Sequence, residues 1–299
     1  MPVDCPRIDI VADTPAALLS LASELFDAGL GHAALRDVNS ALRQNPELAD
    51  AHFLKGLIHE STGDLPAAAD AFACAARLAP ITTSAWVKLA AVYDKLQRHE
   101  DALAALSRAL GLDSDNITAL ALCGSVLAAL GRIDAAVEAY RTALQFDPRR
   151  GSLQHELSRL LLGRGDLDRA LAHARAACSL DPSWPNRHVL LGDVQRERGD
   201  ADAALSAYRT AAMLGGHEAL PHVRVAELLL KKGLLPDALK SLNIAVARDP
   251  ARGDSHVMLA RIYRTQGRRA EARASLSRAR TLRRRADAPR TGARDAAAP

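Results

Sequence analysis

From residue 15 onward, apolar residues recur at spacings of three and four within stretches of fourteen residues, and short turns separate the stretches. This spacing predicts amphipathic helices rather than strands. The breaks alternate between two kinds. One kind is a glycine, at Gly29, Gly63, Gly131, Gly165, Gly199, Gly233 and Gly267. Glycine adopts the left-handed conformation that closes a helix at little cost. The other kind carries proline, as in "ALQFDPRRG" (143–151), "ACSLDPSWP" (177–185) and "AVARDPARG" (245–253). The Asp or Ser before the proline position is expected to cap the start of the next helix, and the proline to fix the turn. The helices therefore come in pairs.

The pairs are periodic. Pro46, Pro80, Pro148, Pro182 and Pro250 are separated by 34, 68, 34 and 68 residues, and the two vacant registers hold Ser114 and Gly216. A unit of 34 residues can be started at Pro15, with helices at positions 1 to 14 and 17 to 30. Position 20 is then alanine in eight units of eight, from Ala34 to Ala272, and so is position 27, from Ala41 to Ala279. Position 8 is small throughout: Ala22, Gly56, Ala90, Gly124, Ser158, Gly192, Ala226 and Ala260. Position 15 is glycine except at Gln97. Small residues let helices cross closely. One pair cannot bury its own apolar face, so neighbouring pairs must stack into a continuous core.

Unit three, "SAWVKLAAVYDKLQRHEDALAALSRALGLDSD", places Trp86, Leu89, Ala90, Tyr93, Ala102 and Ala109 in a pattern that resembles the tetratricopeptide repeat (TPR) family. The resemblance covers eight units, 15–48, 49–82, 83–116, 117–150, 151–184, 185–218, 219–252 and 253–286. It implies an all-α fold, a right-handed solenoid of antiparallel helix pairs whose first helices line a concave groove. Residues 1–14 are expected to be a leader with one apolar patch, "IDIVA", and residues 287–299 a disordered tail.

Composition agrees with packed helices. Nearly half the residues are hydrophobic, only 3% are aromatic, and Ala and Leu carry the apolar content. No apolar run approaches the roughly 20 residues needed to span a bilayer. The start lacks a basic region followed by an apolar block, so a secretory signal is not expected and a cytoplasmic location is. Cys5, Cys74, Cys123 and Cys178 are far apart and read as reduced structural thiols. The net charge of +4 is uneven: residues 261–299 hold 12 arginines against 3 acids, which leaves an acidic body.

No P-loop, GxGxxG, GxSxG or HExxH arrangement occurs, so the chain is expected to be non-catalytic, with no cofactor, no metal and no small-molecule substrate. His52, His188, His222 and His256 recur at position 4. Equivalent positions in stacked repeats lie on the order of 10 Å apart, whereas zinc ligands must sit about 2 Å from one ion. These histidines read as packing residues, like Trp86 at the same position.

The resemblance implies that positions 2, 5, 6, 9, 12 and 13 of each first helix face the groove. The helical spacing is consistent with this, because these positions are neighbours at i+3 or i+4. In the early units the face is apolar, with Phe26, Phe53, Leu54 and Leu57, and Lys88 enters in unit three. From unit five it is charged, with His155, Arg159, Asp193, Arg196, Arg224, Glu227, Arg261 and Arg264. The family's carboxylate clamp needs Lys at position 5, which is absent, and the Asn ladder found at position 6 in glycosyltransferase-type members is absent too. The expected partner is a protein or peptide segment held in the groove, its acids meeting Arg159, Arg196, Arg224 and Arg261. These charges can instead satisfy one another, as Glu156 with Arg159.

The resulting expectation is a scaffold or adaptor for protein–protein interaction. Two alternatives stay open. One is a regulatory or targeting subunit of a transferase, secretion or envelope-assembly machine. The other gives the Arg-rich end, "RTLRRR" at 280–285, a contact with nucleic acid or an anionic surface, although no aromatic residue in that tail offers base stacking. Nucleic acid is otherwise not expected as a partner.

Overall fold

A computed structural model describes residues 14–215 and 218–287, and among these residues the chain is all helix and turn, with no strand. Residues 1–13 of the expected leader, Cys5 among them, and all of the expected tail except Asp287 lie outside them. Among the described residues, sixteen helices follow one another. They fall into two compact units, divided between Arg149 and Arg150.

The first unit holds α1 (Pro15–Asp27), α2 (Gly31–Gln44), α3 (Ala49–Thr62), α4 (Leu65–Leu78), α5 (Thr83–Lys95), α6 (His99–Leu112), α7 (Ile117–Ala129) and α8 (Ile133–Phe146). The second holds α9 (Gly151–Gly163), α10 (Leu167–Leu180), α11 (Pro185–Glu197), α12 (Ala201–Leu214), α13 (Leu220–Lys231), α14 (Leu235–Arg248), α15 (Gly253–Thr265) and α16 (Arg269–Asp287). Each unit is a helical solenoid of four helix pairs. Within a unit each second helix packs on the next first helix, α2 on α3 or α10 on α11 for example. First helices also touch, α1 with α3, α5 with α7 and α9 with α11, which aligns them on one face.

The glycine turns behave as the sequence predicts. All seven glycines at position 15 have φ between 73° and 87°, and Gln97 is forced into the same region at φ 60°. A left-handed non-glycine residue costs roughly 1–2 kcal/mol. The alanines at positions 20 and 27 are buried in every pair, most with no exposed surface.

The proline turns correct one expectation. The Asp at the turn is not the N-cap of the next helix but the C-cap of the previous one, with φ −136° and ψ 86° at Asp147 and φ −135° and ψ 87° at Asp249. Its carboxylate accepts from the backbone N–H two residues on: Arg149 to Asp147 at 3.1 Å, Ala251 to Asp249 at 3.0 Å. This Asx turn closes the loop itself. The turn carbonyl is held by position 4 of the next helix. The Nε2–H groups of His52, His188 and His256 donate to Pro46, Pro182 and Pro250 at 2.9, 2.8 and 3.1 Å, and Trp86 Nε1–H donates to Pro80 at 3.0 Å. The position-4 rings thus staple the starts of α3, α5, α11 and α15 to the turns before them.

Position 8 holds a pairing across each helix pair. Where it is glycine, position 24 is aromatic: Gly56 with Phe72, Gly124 with Tyr140, Gly192 with Tyr208. A Cβ added at these glycines would lie 2.6, 2.7 and 2.5 Å from a ring carbon. Elsewhere position 8 is Ala or Ser and position 24 is smaller, as Ala90 with Leu106, Ala226 with Leu242 and Ser158 with Ala174. The Ser158 hydroxyl donates to the Ala170 carbonyl at 2.8 Å. Full burial of rings such as Phe72 and Tyr208 contributes about 1.5–3 kcal/mol each.

Candidate functional site

The first helices α1, α3, α5 and α7 share one face of the first unit, the face expected to be inner. Phe26, Phe53 and Leu57 are half-buried on it. Phe53 stands edge-on to Phe72, ring centroids 5.4 Å apart at 62°. Beside it lies a pocket of about 180 Å³, lined by Ala49, Asp50, Phe53, Ala75, Ala79, Thr82, Ser84 and Ala85. The small residues at the end of α4 leave this space, and Asp50, Thr82 and Ser84 give it a polar rim. Leu54 departs from the expectation that it lines the groove. It is 8% exposed and belongs to the core with Ala22, Val38 and Ile58. Position 6 thus points into the helix pair here rather than out of it.

Lys88 is not a free cation. Lys88 and Lys95 both donate to Glu60, at 3.2 and 2.5 Å. Burial opposes ionisation of Glu60, but the two ammonium donors outweigh it and hold its carboxyl below the usual range. Glu60 was not among the expected site residues, because the bridge joins residues 28 and 35 apart on different first helices.

The inner face of the second unit is charged, and most of its charges meet one another. Asp193 Oδ1 lies 3.5 Å from both Arg196 and Arg224. Glu227 lies 3.8 Å from Arg196 and 3.0 Å from Arg224. Tyr208, from the second helix α12, donates its hydroxyl proton to Asp193 at 2.7 Å. Gly192 lets the ring of Tyr208 pass under α11 to reach that carboxylate. Burial, then the hydrogen bond to Asp193, pushes the Tyr208 phenol well above its ordinary range. Burial opposes the charge on Arg224, but Asp193 and Glu227 outweigh it and hold the guanidinium charged. The four charged groups form one tied network, helped by Glu197, which accepts from Arg196 at 2.9 Å.

Arg159 is exposed and places two nitrogens on Glu156 Oε2, at 2.9 and 2.7 Å. His155 stacks beneath Trp184, ring centroids 6.2 Å apart. Among the described residues its buried Nδ1 has no hydrogen-bond partner, and desolvation lowers its pKa, which favours the neutral ring. Trp184 also carries Arg187, 4.7 Å over its ring, and Arg187 donates to the Ala177 carbonyl at 3.1 Å. This trio was not foreseen. A Cβ at Gly151 would lie 2.8 Å from Arg187 Nη1, so the guanidinium would have to shift to admit a side chain there.

Arg261 and Arg264 differ from the rest. Both are exposed on α15, and among the described residues neither pairs with a carboxylate. The inner face thus ends in two uncompensated guanidinium groups. No cluster of three or more potential metal ligands occurs among the described residues, and no described helix is long and apolar enough to cross a membrane. His52, His188 and His256 are used in the turn staples.

A family model for the tetratricopeptide repeat matches the sequence in six overlapping windows, 19–80, 63–117, 87–151, 123–188, 155–219 and 225–289. No match was found among curated proteins. Several solved structures share the fold. YrrB, a TPR protein with an unusual peptide-binding site, is 22% identical, with a TM-score of 0.54 over 62% of this chain and 96% of that one. PilF of Pseudomonas aeruginosa is 20% identical, with a TM-score of 0.59 over 69% of this chain and 91% of that one. The APC/C hetero-tetramer Cut9–Hcn1 gives 19% identity and a TM-score of 0.59 over 84% of this chain and 53% of that one.

Proposed function

The chain belongs to the tetratricopeptide repeat family, whose members are protein-interaction scaffolds, and on that premise we propose that its inner faces hold segments of a partner protein. On the second unit the partner segment is acidic. The observation that carries this reading is the difference between tied and untied charges. Asp193, Arg196, Arg224 and Glu227 pair with one another, while Arg261 and Arg264 meet no acid among the described residues. Guanidinium groups of this kind take carboxylates in bidentate geometry. On the first unit, the pocket beside Phe53 is of a size for one aliphatic side chain, with Asp50, Thr82 and Ser84 available to a backbone alongside it.

Nothing in this reading calls for catalysis, a cofactor or a metal. The chain acts as an adaptor, and binding energy comes from apolar anchors and charge pairing. The test is quantitative capture with the tagged full chain, compared with Arg261→Glu/Arg264→Glu and with Phe53→Ala. Loss of the same partner from the arginine variant, with helix content unchanged, is the expected result. Equal recovery by both variants and the wild type removes the inner faces as the binding site.

A second reading has one observation behind it. Within α16, Arg269, Arg273, Arg278, Arg280, Arg284 and Arg285 have no carboxylate partner among the described residues, and Glu271 is taken by Arg268. Such a row of cations can meet a polyanion through counterion release.

A further inference from the structure

A separate surface lies on the side of the first unit made by the second helices. Between the C-terminal turns of α4 and α6 is a cleft of about 650 Å³, lined by Ala76, Arg77, Pro80, Trp86, Arg108 and Leu112 among others. Its floor is apolar, and two observations give it the character of a binding site. The Trp86 ring is fixed, because its indole N–H is already committed to the Pro80 carbonyl at 3.0 Å. It therefore offers a preformed apolar wall at no ordering cost. Leu112 is 46% exposed, and Ile81, next to Pro80, is 82% exposed, so the apolar surface continues out of the cleft. The second observation is charge. Arg77 and Arg108 flank the cleft from different helices, both exposed, and neither pairs with a carboxylate among the described residues. Among the described residues, the one polar contact of Arg77 is a 3.9 Å approach to the Cys74 sulfur.

We propose that this cleft docks a second partner segment, in which an aliphatic or aromatic side chain is flanked by acidic residues. The apolar side chain lies against Trp86 and Leu112, and the carboxylates meet Arg77 and Arg108. The chain then offers two separate sites for binding, the first-helix face and this cleft, as a bridging scaffold requires. The cleft shares no residue with the inner face, so this proposal stands whether or not the inner-face reading does.

The test uses the full chain and two labelled peptide pools, read by fluorescence polarisation. Each peptide in the first pool carries one Leu or Phe flanked by Asp and Glu, and the second pool has Lys in place of the acids. A Trp184→Phe background leaves Trp86 as the sole indole, so its emission reports occupancy directly. The acidic pool is expected to bind and to perturb Trp86 emission. Arg77→Glu/Arg108→Glu is expected to weaken binding at least about tenfold, with the circular dichroism spectrum unchanged. Arg261→Glu/Arg264→Glu is expected to leave the Trp86 response intact. Equal binding of both pools, no Trp86 response, or full affinity in the Arg77/Arg108 variant each overturns the proposal.

Discussion

Gly56 sits in the middle of α3, where alanine is the better helix former by about 1 kcal/mol. A helix-propensity argument therefore predicts that Gly56→Ala stabilises the protein. The packing predicts the reverse. The added Cβ would lie 2.6, 2.7 and 2.9 Å from Cε1, Cδ1 and Cγ of Phe72. Carbon atoms in contact prefer about 3.5–4.0 Å, so the ring must retreat by roughly 1 Å. Phe72 has no exposed surface and packs among Ala68, Leu89 and Ala90, so it has nowhere to go. Overpacking of this kind costs about 1–3 kcal/mol, and we expect the upper end. Phe72→Leu alone leaves a void and costs roughly 1–2 kcal/mol. The double variant recreates the Ala–Leu pair found at Ala90 and Leu106, so its cost falls below the sum by at least about 1.5 kcal/mol. Urea unfolding followed by circular dichroism and by emission from Trp86, which borders the same core, measures the cycle. Stacked repeats need not unfold as one unit, so agreement of the two probes is part of the measurement. Additive changes, or a Gly56→Ala variant at least as stable as wild type, would refute the reasoning.

Other outcomes follow from single contacts. Gln97→Gly relieves a left-handed residue at φ 60° and is expected to raise stability by about 1 kcal/mol, whereas Gly131→Ala, at φ 73°, lowers it by about 1–2 kcal/mol; both are read by thermal unfolding. Because the Glu60 carboxyl titrates below its ordinary range, the stability it contributes is present above the ordinary glutamate pKa and is lost as pH falls through the depressed value. Glu60→Gln should therefore flatten the stability profile on the acid side and leave little difference between the proteins at the lowest pH, in urea melts across that range. For α16, retention of the full chain on a duplex DNA column should fall steeply with salt and drop further in Arg273→Glu/Arg280→Glu/Arg284→Glu; salt-insensitive retention, or none, rejects the polyanion reading.

The period carried most of the fold. Alanine at positions 20 and 27, and a turn residue at position 15, are local requirements that each unit must meet alone, so one sequence displays them eight times. Contacts between units were harder to see. The Lys88–Glu60–Lys95 bridge and the Asp193–Arg224 pair join different first helices, and their meeting depends on how one helix is rotated against the next. Position 6 illustrates this: Leu54 turns inward to the core, while Arg224 reaches across to Asp193. The pairing of Gly56, Gly124 and Gly192 with an aromatic sixteen residues on was written in the sequence, but position 8 showed only that it was small. The aspartates before the prolines have the residue type of an N-cap, yet an Asx turn uses the same carboxylate, and the backbone conformation decides between the two. The uncompensated charge of Arg261 and Arg264 could be found only once the pairing of the neighbouring charges, Arg196 and Arg224 above all, was known.

The claim that the inner faces hold the partner is tested most directly by photo-crosslinking in cells. A photoreactive phenylalanine analogue is placed at Phe53 and at Arg264 on the first helices, and at Arg141 and Arg209, exposed on second helices outside the described clefts. The account predicts adducts to a partner protein from positions 53 and 264 and none from positions 141 and 209. Adducts confined to the second-helix positions would contradict it.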